Sequence, residues 1–145
     1  MFVSIDKENN KALFSTPGLN SENGIKFATD GGVRNMYVSR LTYNMHVVVG
    51  SSIYQVDKAR NSIFGIDLTT SEGYVGIDDI NTQIMFVDGS KGYIFDKSTD
   101  SYSEITHSSF PPLPKDVIAF GDRFYVIKGD TNEIYFSEIK RHCRT

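Results

Sequence analysis

The chain contains the same hairpin pattern twice, at a spacing of 39 residues. Residues 48–66 read VVGSSIYQVDKARNSIFGI and residues 87–105 read VDGSKGYIFDKSTDSYSEI, and the two segments align without a gap. A period near 40 residues with β-strand chemistry is typical of β-propellers, in which each repeat forms one four-stranded antiparallel sheet. The repeat therefore favours a fold of consecutive small sheets. The positions that are identical in the second copy are Val48, Gly50, Ser51, Tyr54, Asp57, Lys58, Ser62 and Ile66.

A third, looser copy spans residues 124–138, which read FYVIKGDTNEIYFSE. Each copy has a glycine, then a tyrosine, then an acidic residue three positions after the tyrosine. We interpret the glycine as the residue that lets the chain reverse in a tight hairpin, since glycine tolerates positive φ. The recurring acid is interpreted as a turn cap, or as a partner for Lys58 or Lys97, rather than as part of an active site. The three sets are Gly50, Tyr54 and Asp57; Gly89, Tyr93 and Asp96; and Gly129, Tyr135 and Glu138.

β-Branched and aromatic residues dominate the apolar runs, and no window has a helical period, which predicts strands. The predicted fold is all-β: a partial β-propeller of about two and a half four-stranded antiparallel blades, residues 33–139, after an irregular N-terminal lead-in. The blades span residues 33–70, 72–109 and 116–139. The predicted strands are 34–39, 45–49, 53–57 and 62–68 in the first blade, 73–78, 83–88, 92–96 and 102–107 in the second, and 116–120, 123–128 and 133–139 in the third.

Three segments lie outside the predicted strands. Residues 1–32 are rich in turn-forming residues and predict the irregular lead-in, with one or two short strands such as residues 11–14. Residues 110–115, FPPLPK, predict a rigid connector between the second and third blades, because proline in sheets is confined to loops and edges. The alternative for this segment is a docking motif for an aromatic groove. Residues 140–145, KRHCRT, predict a disordered basic tail.

An array of this size leaves both of its ends open. Closed propellers have typically about four to eight blades, so two and a half blades do not complete a ring. The open ends expose apolar blade faces and an unpaired strand edge, which invite association. We therefore expect that the chain is a piece of a longer protein or that copies of it associate.

Composition argues against several classes of function. The net charge of −3 argues against a dedicated nucleic-acid binder, whose surface is usually basic. The single cysteine, Cys143, cannot form an internal disulfide. The first ten residues, MFVSIDKENN, lack the apolar region of a secretion signal, and no apolar run approaches the roughly 20 residues that span a bilayer. These features predict a soluble protein without a membrane segment.

No residue pattern predicts a catalytic, cofactor-binding or metal-binding site. The three histidines are scattered and have no metal-ligand spacing. His46 and His107 align with Met85 and Leu68 and are interpreted as strand residues, while His142 lies beside the cysteine in the polar tail. A cysteine nucleophile needs a positioned base and a pocket, which a terminal tail does not supply.

Asp78 and Asp79 are the carboxylate pair that most resembles a metal or acid–base site. Neighbouring side chains on a strand point to opposite faces, so we expect the two carboxylates not to converge on one ion. The segment IDDIN is interpreted as a polar turn that leads into the strand at 83–88. The chain also lacks tryptophan and the Ser-x-Asp-x-Gly-x-x-Trp hairpin of some propeller glycosidases, and we predict a non-enzymatic protein.

Five segments, in this order and spacing, resemble one protein family over roughly residues 12–139. The chain is similar to the packaged-DNA stabilization proteins, or tail accessory hub proteins, of short-tailed bacteriophages related to P22. The match falls on the N-terminal portion of that family, whose members are much longer. The segments are FSTPGL (14–19), GGVRNMYV (31–38), VVVGSSIYQVD (47–57), GYVGIDDINTQIMFVDGSKGYIFD (73–96) and SFPPLPKDVIAFGDRFYVIKGDTNEIYFSEI (109–139).

The resemblance implies a virion structural protein. Members assemble in full-length form as a homo-oligomeric ring below the portal and its head-completion adaptor. They help to close the portal channel and retain packaged DNA, and they offer surfaces to the tail needle and tailspikes. The implied location is the virion tail, or the host bacterial cytoplasm before assembly. Together with the charge balance, this role implies no sequence-specific nucleic-acid binding.

Two alternatives remain open at this point. One is a general protein-interaction module, a truncated β-propeller, and the other is a fragment of a propeller hydrolase. For the structural role, we predict partner contacts in three loops, Lys58–Asn61, Lys97–Asp100 and Asp130–Glu133, on a common rim of the blades. Charge reversals in these loops are expected to weaken incorporation into tails while leaving the isolated fold intact.

Overall fold

The computed structural model describes residues 2–4, 12–14 and 24–138 of the 145-residue chain. The regular structure in those ranges is entirely β, and they contain no helix. Strand β1 (Phe2–Ser4) pairs with β2 (Ala12–Phe14) in a two-stranded antiparallel sheet. Across the same ranges, therefore, no helix has the length and hydropathy to cross a membrane.

Three larger antiparallel sheets follow, and in each of them every strand pairs with its neighbour in sequence. The first sheet contains β3 (Val33–Val38), β4 (Met45–Val49), β5 (Ser52–Val56) and β6 (Ser62–Asp67). The second sheet contains β7 (Gly76–Asp79), β8 (Gln83–Val87), β9 (Gly92–Asp96) and β10 (Ser101–Glu104). The third sheet contains β11 (Pro114–Phe120), β12 (Arg123–Lys128) and β13 (Ile134–Phe136).

The all-β prediction is confirmed, and the predicted strands correspond to observed ones with shifts at their ends. Strand β7 begins at Gly76 rather than at residue 73, because side chains of the first sheet bind the preceding carbonyls. Arg34 Nε donates to the Gly73 oxygen at 3.0 Å, and Asn35 Nδ2 donates to the Val75 oxygen at 2.8 Å. The lead-in strand predicted at 11–14 is β2, whereas the predicted tail, 140–145, lies outside the described residues.

The connector predicted at 110–115 lies earlier in the chain than expected, since β10 ends at Glu104 and β11 begins at Pro114. Strand β11 begins at Pro114, which pairs with Lys128, so the last two residues of FPPLPK belong to the third sheet. Proline is tolerated there because it is the first residue of an edge strand, where no ladder hydrogen bond from its nitrogen is needed. Leu113, just before it, has a left-handed backbone with φ of 51°.

The second sheet lies between the other two, because β7 contacts both β3 and β11, and β10 contacts β6. For the first and second sheets, we call the face that points to the following sheet the front face and the opposite one the back face. For the third sheet, the back face is the one that packs on the second sheet, and the front face is the opposite one. One apolar cluster joins the front of the first sheet to the back of the second: Val48, Ile53, Leu68, Val75, Ile84, Phe86, Tyr93 and Phe95. A second cluster joins the front of the second sheet to the back of the third: Met85, Val87, Val117, Phe124 and Val126.

Strand β8 has buried residues on both of its faces, because it lies in the middle sheet. Ile84 and Phe86 point back and Met85 and Val87 point forward, and all four are buried. Burying one side chain of this kind contributes about 1.5–3 kcal/mol. The two clusters therefore hold the three sheets in one order.

The recurring tyrosine forms a hydrogen bond between a sheet and the segment that precedes it in the chain. The Tyr54 hydroxyl lies 2.8 Å from Oγ1 of Thr29, and the Tyr93 hydroxyl lies 2.8 Å from Oγ1 of Thr69. The third copy differs, since the Tyr135 hydroxyl contacts Glu133 on its own hairpin at 3.3 Å. The tyrosine of the repeat thus links a sheet to the preceding segment in two of its three copies.

The recurring glycine has two different roles. Gly50 and Gly89 adopt positive φ, 51° and 88°, as tight hairpin turns require. At the third hairpin the positive φ falls on Asp130 instead, at 59°. Gly129 is needed for close approach, because a Cβ there would lie 2.8 Å from the carbonyl oxygen of Leu113.

Candidate functional site

The carboxylates of Asp78 and Asp79 lie at the end of β7, where the first and second sheets meet. The hydroxyl of Tyr37, on β3, donates to Oδ1 of Asp79 at 2.6 Å and lies 3.1 Å from Oδ1 of Asp78. The prediction concerned convergence on one ion, and what the two carboxylates share here is the Tyr37 hydroxyl. Strand alternation determines the direction of each Cβ but not the position of the carboxylate at the end of the side chain. Because β7 is an edge strand of its sheet, a tyrosine from the neighbouring sheet can contact both carboxylates from the side.

The interpretation of IDDIN as a turn is wrong in its first half, since Asp79 is still part of β7. Its side chain is 1% exposed and forms a buried ion pair with Lys97, whose Nζ lies 2.7 Å from Oδ2. Burial by itself raises the pKa of Asp79, but hydrogen bonds from Lys97, Tyr37 and the Arg40 amide outweigh it and hold the pKa below its ordinary value. Asp79 is a charged carboxylate with protein donors on both oxygens.

Asp78 extends this polar cluster to the third sheet. Its Oδ2 accepts a hydrogen bond from the backbone amide of Ala119, on β11, at 2.7 Å. Beside the cluster is a cleft of about 240 Å³, lined among others by Arg40, Lys97 and Phe120. Burial, followed by the contact with Asp79, raises the pKa of Tyr37, which keeps its proton. We interpret the cluster as a tie between the three sheets, because its carboxylates are already occupied by protein donors.

His46 lies in the core between the first and second sheets. It is fully buried on β4, and its Nδ1 lies 2.7 Å from the Tyr102 hydroxyl, while Nε2 has no hydrogen-bond partner among the described residues. Burial lowers the pKa of His46 to about 4. The interpretation of His46 as a strand residue is confirmed.

His107 is not a strand residue, and this prediction was wrong. Strand β10 ends at Glu104, and His107 lies exposed in the connector that follows. There its Nδ1 lies 2.6 Å from the Ser109 hydroxyl and accepts the Ser109 amide hydrogen at 3.2 Å. His142 and Cys143 lie outside the described residues. In the described part of the chain, no three His, Cys, Asp or Glu residues are grouped to hold a metal ion.

The three loops predicted to share a rim lie on two rims. Two of them follow the third strand of their sheets, Lys58–Asn61 and Lys97–Asp100. They lie on the same rim as the turns between the first and second strands, and we call this rim the turn rim. Asp130–Glu133 follows the second strand of the third sheet and lies on the opposite rim, which we call the connector rim. There Gly129 donates its amide hydrogen to Leu113 of the connector at 2.8 Å. The cause is antiparallel pairing, in which successive turns fall at opposite ends of a sheet.

The turn-rim loops are also less available than predicted. Lys97 is 6% exposed and paired with Asp79, so reversing its charge would disrupt the fold rather than leave it intact. Asp57 caps its own loop, accepting the Asn61 amide hydrogen at 2.9 Å, and these hydrogen bonds lower its pKa. The interpretation of the recurring acid as a turn cap is confirmed at Asp57 and also at Asp96, which accepts the Ser98 amide hydrogen at 2.9 Å.

The front face of the third sheet carries several exposed apolar side chains. Cross-strand pairing places its residues side by side, since Tyr125 pairs with both Ile118 and Phe136. Phe120 is 74% exposed and Phe136 is 62% exposed, and Tyr125 is half-buried between them. The sequence predicted exposed apolar faces, but it did not identify these residues. The apolar residues of the face are Ile118, Phe120, Tyr125, Ile127, Ile134 and Phe136. Arg123 lies on the same face, with its guanidinium carbon 5.5 Å from the centre of the Phe136 ring.

The back face of the first sheet is open in part. Ile25 and Phe27, from the segment before the sheet, pack on its β4 and β5 residues. Met36 and Val38, on β3, point the same way and are 60% and 55% exposed. Both ends of the three-sheet stack therefore present apolar side chains to solvent.

No protein-family model matches the chain, and no curated protein matches it either.

Proposed function

We propose that this protein is a non-enzymatic structural component of the tail machine of a short-tailed phage or prophage. In this role it is a hub protein that helps to close the portal channel and retain packaged DNA. The observation that carries the proposal is the open front face of the third sheet, from Ile118 to Phe136. A surface of contiguous exposed aliphatic and aromatic side chains is typical of a protein–protein contact.

The proposal includes the finer architecture, a partial β-propeller. Three features support it: the 39-residue repeat, the sequential strand order in every sheet, and the contacts that bring β3, β7 and β11 together as neighbouring first strands. Propeller blades have the same strand order and stack in the same way. The third sheet has three strands among the described residues, in keeping with about two and a half blades.

The proposal of a phage role has a narrower basis, the resemblance of residues 12–139 to tail accessory hub proteins. On that basis the partners are the head-completion adaptor below the portal, the tail needle and the tailspike, and the location is the virion tail. The polar cluster supports a non-enzymatic role, because Asp78 and Asp79 serve as ties between sheets. A general protein-interaction module would use the same front face, and it differs in its partners.

The test is the protein content of tails from the phage or prophage that encodes this chain. We expect mass spectrometry of purified tails to find the protein in amounts comparable to the adaptor, and Ile118→Lys to reduce its incorporation. Lys26→Glu, at an exposed position outside the three predicted loops and the front face, is the control and is expected to incorporate normally. Assembled tails that lack the wild-type protein would overturn the phage role and favour the interaction module.

A further inference from the structure

We propose that the turn rim of the first sheet binds an acidic segment of another protein. The binding surface, which we call the turn-rim surface, consists of Leu41 and Tyr43 from the turn after β3 and of Lys58 and Arg60 from the loop after β5. It is the rim of one sheet and not an open sheet face. The inference therefore goes beyond the proposed function, and it does not depend on the phage role.

The two loops form one surface because they lie side by side. They follow the first and third strands of an antiparallel sheet with sequential strand order, which places them at the same end of the sheet. Lys58 Nζ lies 5.5 Å from the centre of the Tyr43 ring, a cation–π contact between the loops. Tyr43 is 63% exposed and Leu41 is 57% exposed, and Lys58 and Arg60 are exposed as well. Apolar and cationic side chains thus lie together in solvent.

Two of these residues have a backbone conformation that suits other side chains better. Tyr43 has φ of 55° and Arg60 has φ of 69°, in the left-handed region where bulky residues are rare. The other non-glycine residues with positive φ on the turn rim, within the described ranges, are the aspartates Asp100 and Asp122. Aspartate tolerates this region because its short side chain can form local hydrogen bonds. We infer that Tyr43 and Arg60 serve through their exposed side chains, since unfavourable backbone conformations are concentrated at functional sites.

Hydrogen bonds hold both loops in shape. In the turn after β3, the Ser39 amide donates to the Asn44 oxygen and the Tyr43 amide donates to the Ser39 oxygen, both at 3.0 Å. In the loop after β5, the Arg60 amide donates to the Asp57 oxygen at 3.0 Å. A surface that is formed before binding loses less conformational entropy when a partner binds.

The unpaired charge of the surface is positive, whereas the net charge of the chain is −3. Neither Lys58 nor Arg60 forms an ion pair with a described residue. The carboxylate of the same loop, Asp57, is occupied by the amide and the side chain of Asn61. Arg40, in the turn after β3, is already paired with carboxylates of β7. Two exposed cations without partners favour a ligand with carboxylates, which a guanidinium can bind through two parallel hydrogen bonds.

An acidic protein segment fits this surface better than a nucleic acid does. Strong nucleic-acid binding relies on many phosphate contacts, and the surface offers two unpaired cations. The acidic balance of the whole chain also repels a long polyanion. Leu41 and Tyr43 call for an apolar side chain opposite them, and tyrosine and arginine are frequent anchors of protein contacts. The expected ligand therefore has carboxylates on both sides of an apolar residue.

The test is the binding of a fluorescein-labelled peptide that has glutamates on both sides of a single leucine, measured by fluorescence anisotropy with the full chain. We expect the peptide to bind, and its affinity to fall as salt is added. The same peptide with glutamines in place of the glutamates should bind much less tightly. A labelled single-stranded oligothymidylate of equal length tests the nucleic-acid alternative.

Arg60→Gly separates binding from stability. Glycine adopts positive φ freely, so the variant should keep or raise the denaturant midpoint while the dissociation constant of the peptide rises about threefold. Leu113→Gly is the matched control, because Leu113 is also an exposed bulky residue with positive φ, 51°, but lies in the connector. It should leave the peptide affinity unchanged. Tyr43→Asn, which keeps a residue suited to positive φ, should raise the constant about tenfold.

A second pair of variants tests the charge. Lys58→Gln should raise the dissociation constant about threefold. Lys115→Gln removes the same charge from an exposed position on β11 and should leave the constant unchanged.

Absence of peptide binding, or binding that neither Arg60→Gly nor Lys58→Gln weakens, would overturn the proposed surface. Tighter binding of the oligothymidylate than of the acidic peptide would show that the ligand class is wrong. A lower denaturant midpoint for Arg60→Gly would refute the interpretation of its backbone. The proposed function fails separately, because a protein that enters tails without binding the peptide loses only this surface, and one that binds the peptide but is absent from tails loses only the phage role.

Discussion

The hydroxyl of Tyr102 lies 2.7 Å from Nδ1 of His46, and this contact joins β10 of the second sheet to β4 of the first. Three aromatic rings surround the imidazole, those of Phe86, Phe95 and Tyr102. Nε2 has no hydrogen-bond partner in the described part of the chain, so a proton added there would bring a buried charge that no described residue pairs with. The contact between the two sheets therefore depends on a neutral histidine.

Stability should fall as the pH is lowered from about 6.5 to about 4. The pKa of His46 is lowered by burial, from an ordinary value of 6.5 to about 4, so the unfolded chain binds more protons in this interval. The stabilisation is complete above the unfolded pKa and is lost as the pH falls through the folded one. Its full size is about 3 kcal/mol, taking about 1.4 kcal/mol for each pKa unit. Urea unfolding at several pH values measures it.

The control for this effect is His46→Met, which places in the first sheet the residue that the second sheet has at Met85. The variant should show a shallower loss of stability between pH 6.5 and 4 than the wild type does. Equal slopes for the two proteins would exclude His46 as the titrating group.

Removal of the buried lysine should be costly. Lys97→Met leaves the Asp79 carboxylate buried without its cation, and losing one partner of a buried pair typically costs about 3–5 kcal/mol. Lys115→Met, at an exposed position on β11, should change the free energy of unfolding by less than about 0.5 kcal/mol. Chemical denaturation of the two variants beside the wild type provides the comparison. Similar unfolding midpoints for both variants would contradict the buried ion pair.

The tyrosine hydroxyl should contribute more to the free energy of unfolding in the second repeat than in the third. Tyr93→Phe removes the acceptor of the Thr69 amide hydrogen, 2.8 Å away, and leaves that amide unsatisfied, which should cost about 1–3 kcal/mol. Tyr135→Phe removes only an exposed contact with Glu133 and should cost about 0.5 kcal/mol or less. Thermal melts of both variants measure the difference, and an equal loss in the two would argue against the link between the second sheet and its preceding segment.

Two glycines that are equivalent in the repeat should respond differently to alanine. Both have positive φ, which costs a non-glycine residue about 1–2 kcal/mol. A Cβ at Gly50 would also clash with the carbonyl oxygen of Asp30, whereas a Cβ at Gly89 would meet no atom within 4 Å. Gly50→Ala should therefore be the more destabilising of the two. Denaturant midpoints decide the order, and the reverse order would refute the close approach of Asp30.

Most of the strand arrangement could be predicted from the sequence, because strand alternation, turn glycines and hairpin pairing are local properties. The repeat also predicted correctly that Asp57 is a turn cap. Errors fell at strand ends and loops, as at His107 and the Asp130–Glu133 loop, and contacts between sheets were missed. No local pattern indicates the approach of Tyr37 to Asp78 and Asp79, since these residues lie about 40 positions apart on different sheets.

Lys58 and Lys97 show what the sequence determines and what only the tertiary structure determines. The sequence by itself places both lysines after the third strand of a sheet, one residue beyond a turn-capping acid. Only the tertiary structure makes Lys97 a buried partner of Asp79 and leaves Lys58 exposed. The physical reason is that a repeat specifies the interior of each sheet, whereas burial depends on the neighbour against its face. The second sheet has the first sheet against its back, and the corresponding part of the first sheet is open to solvent.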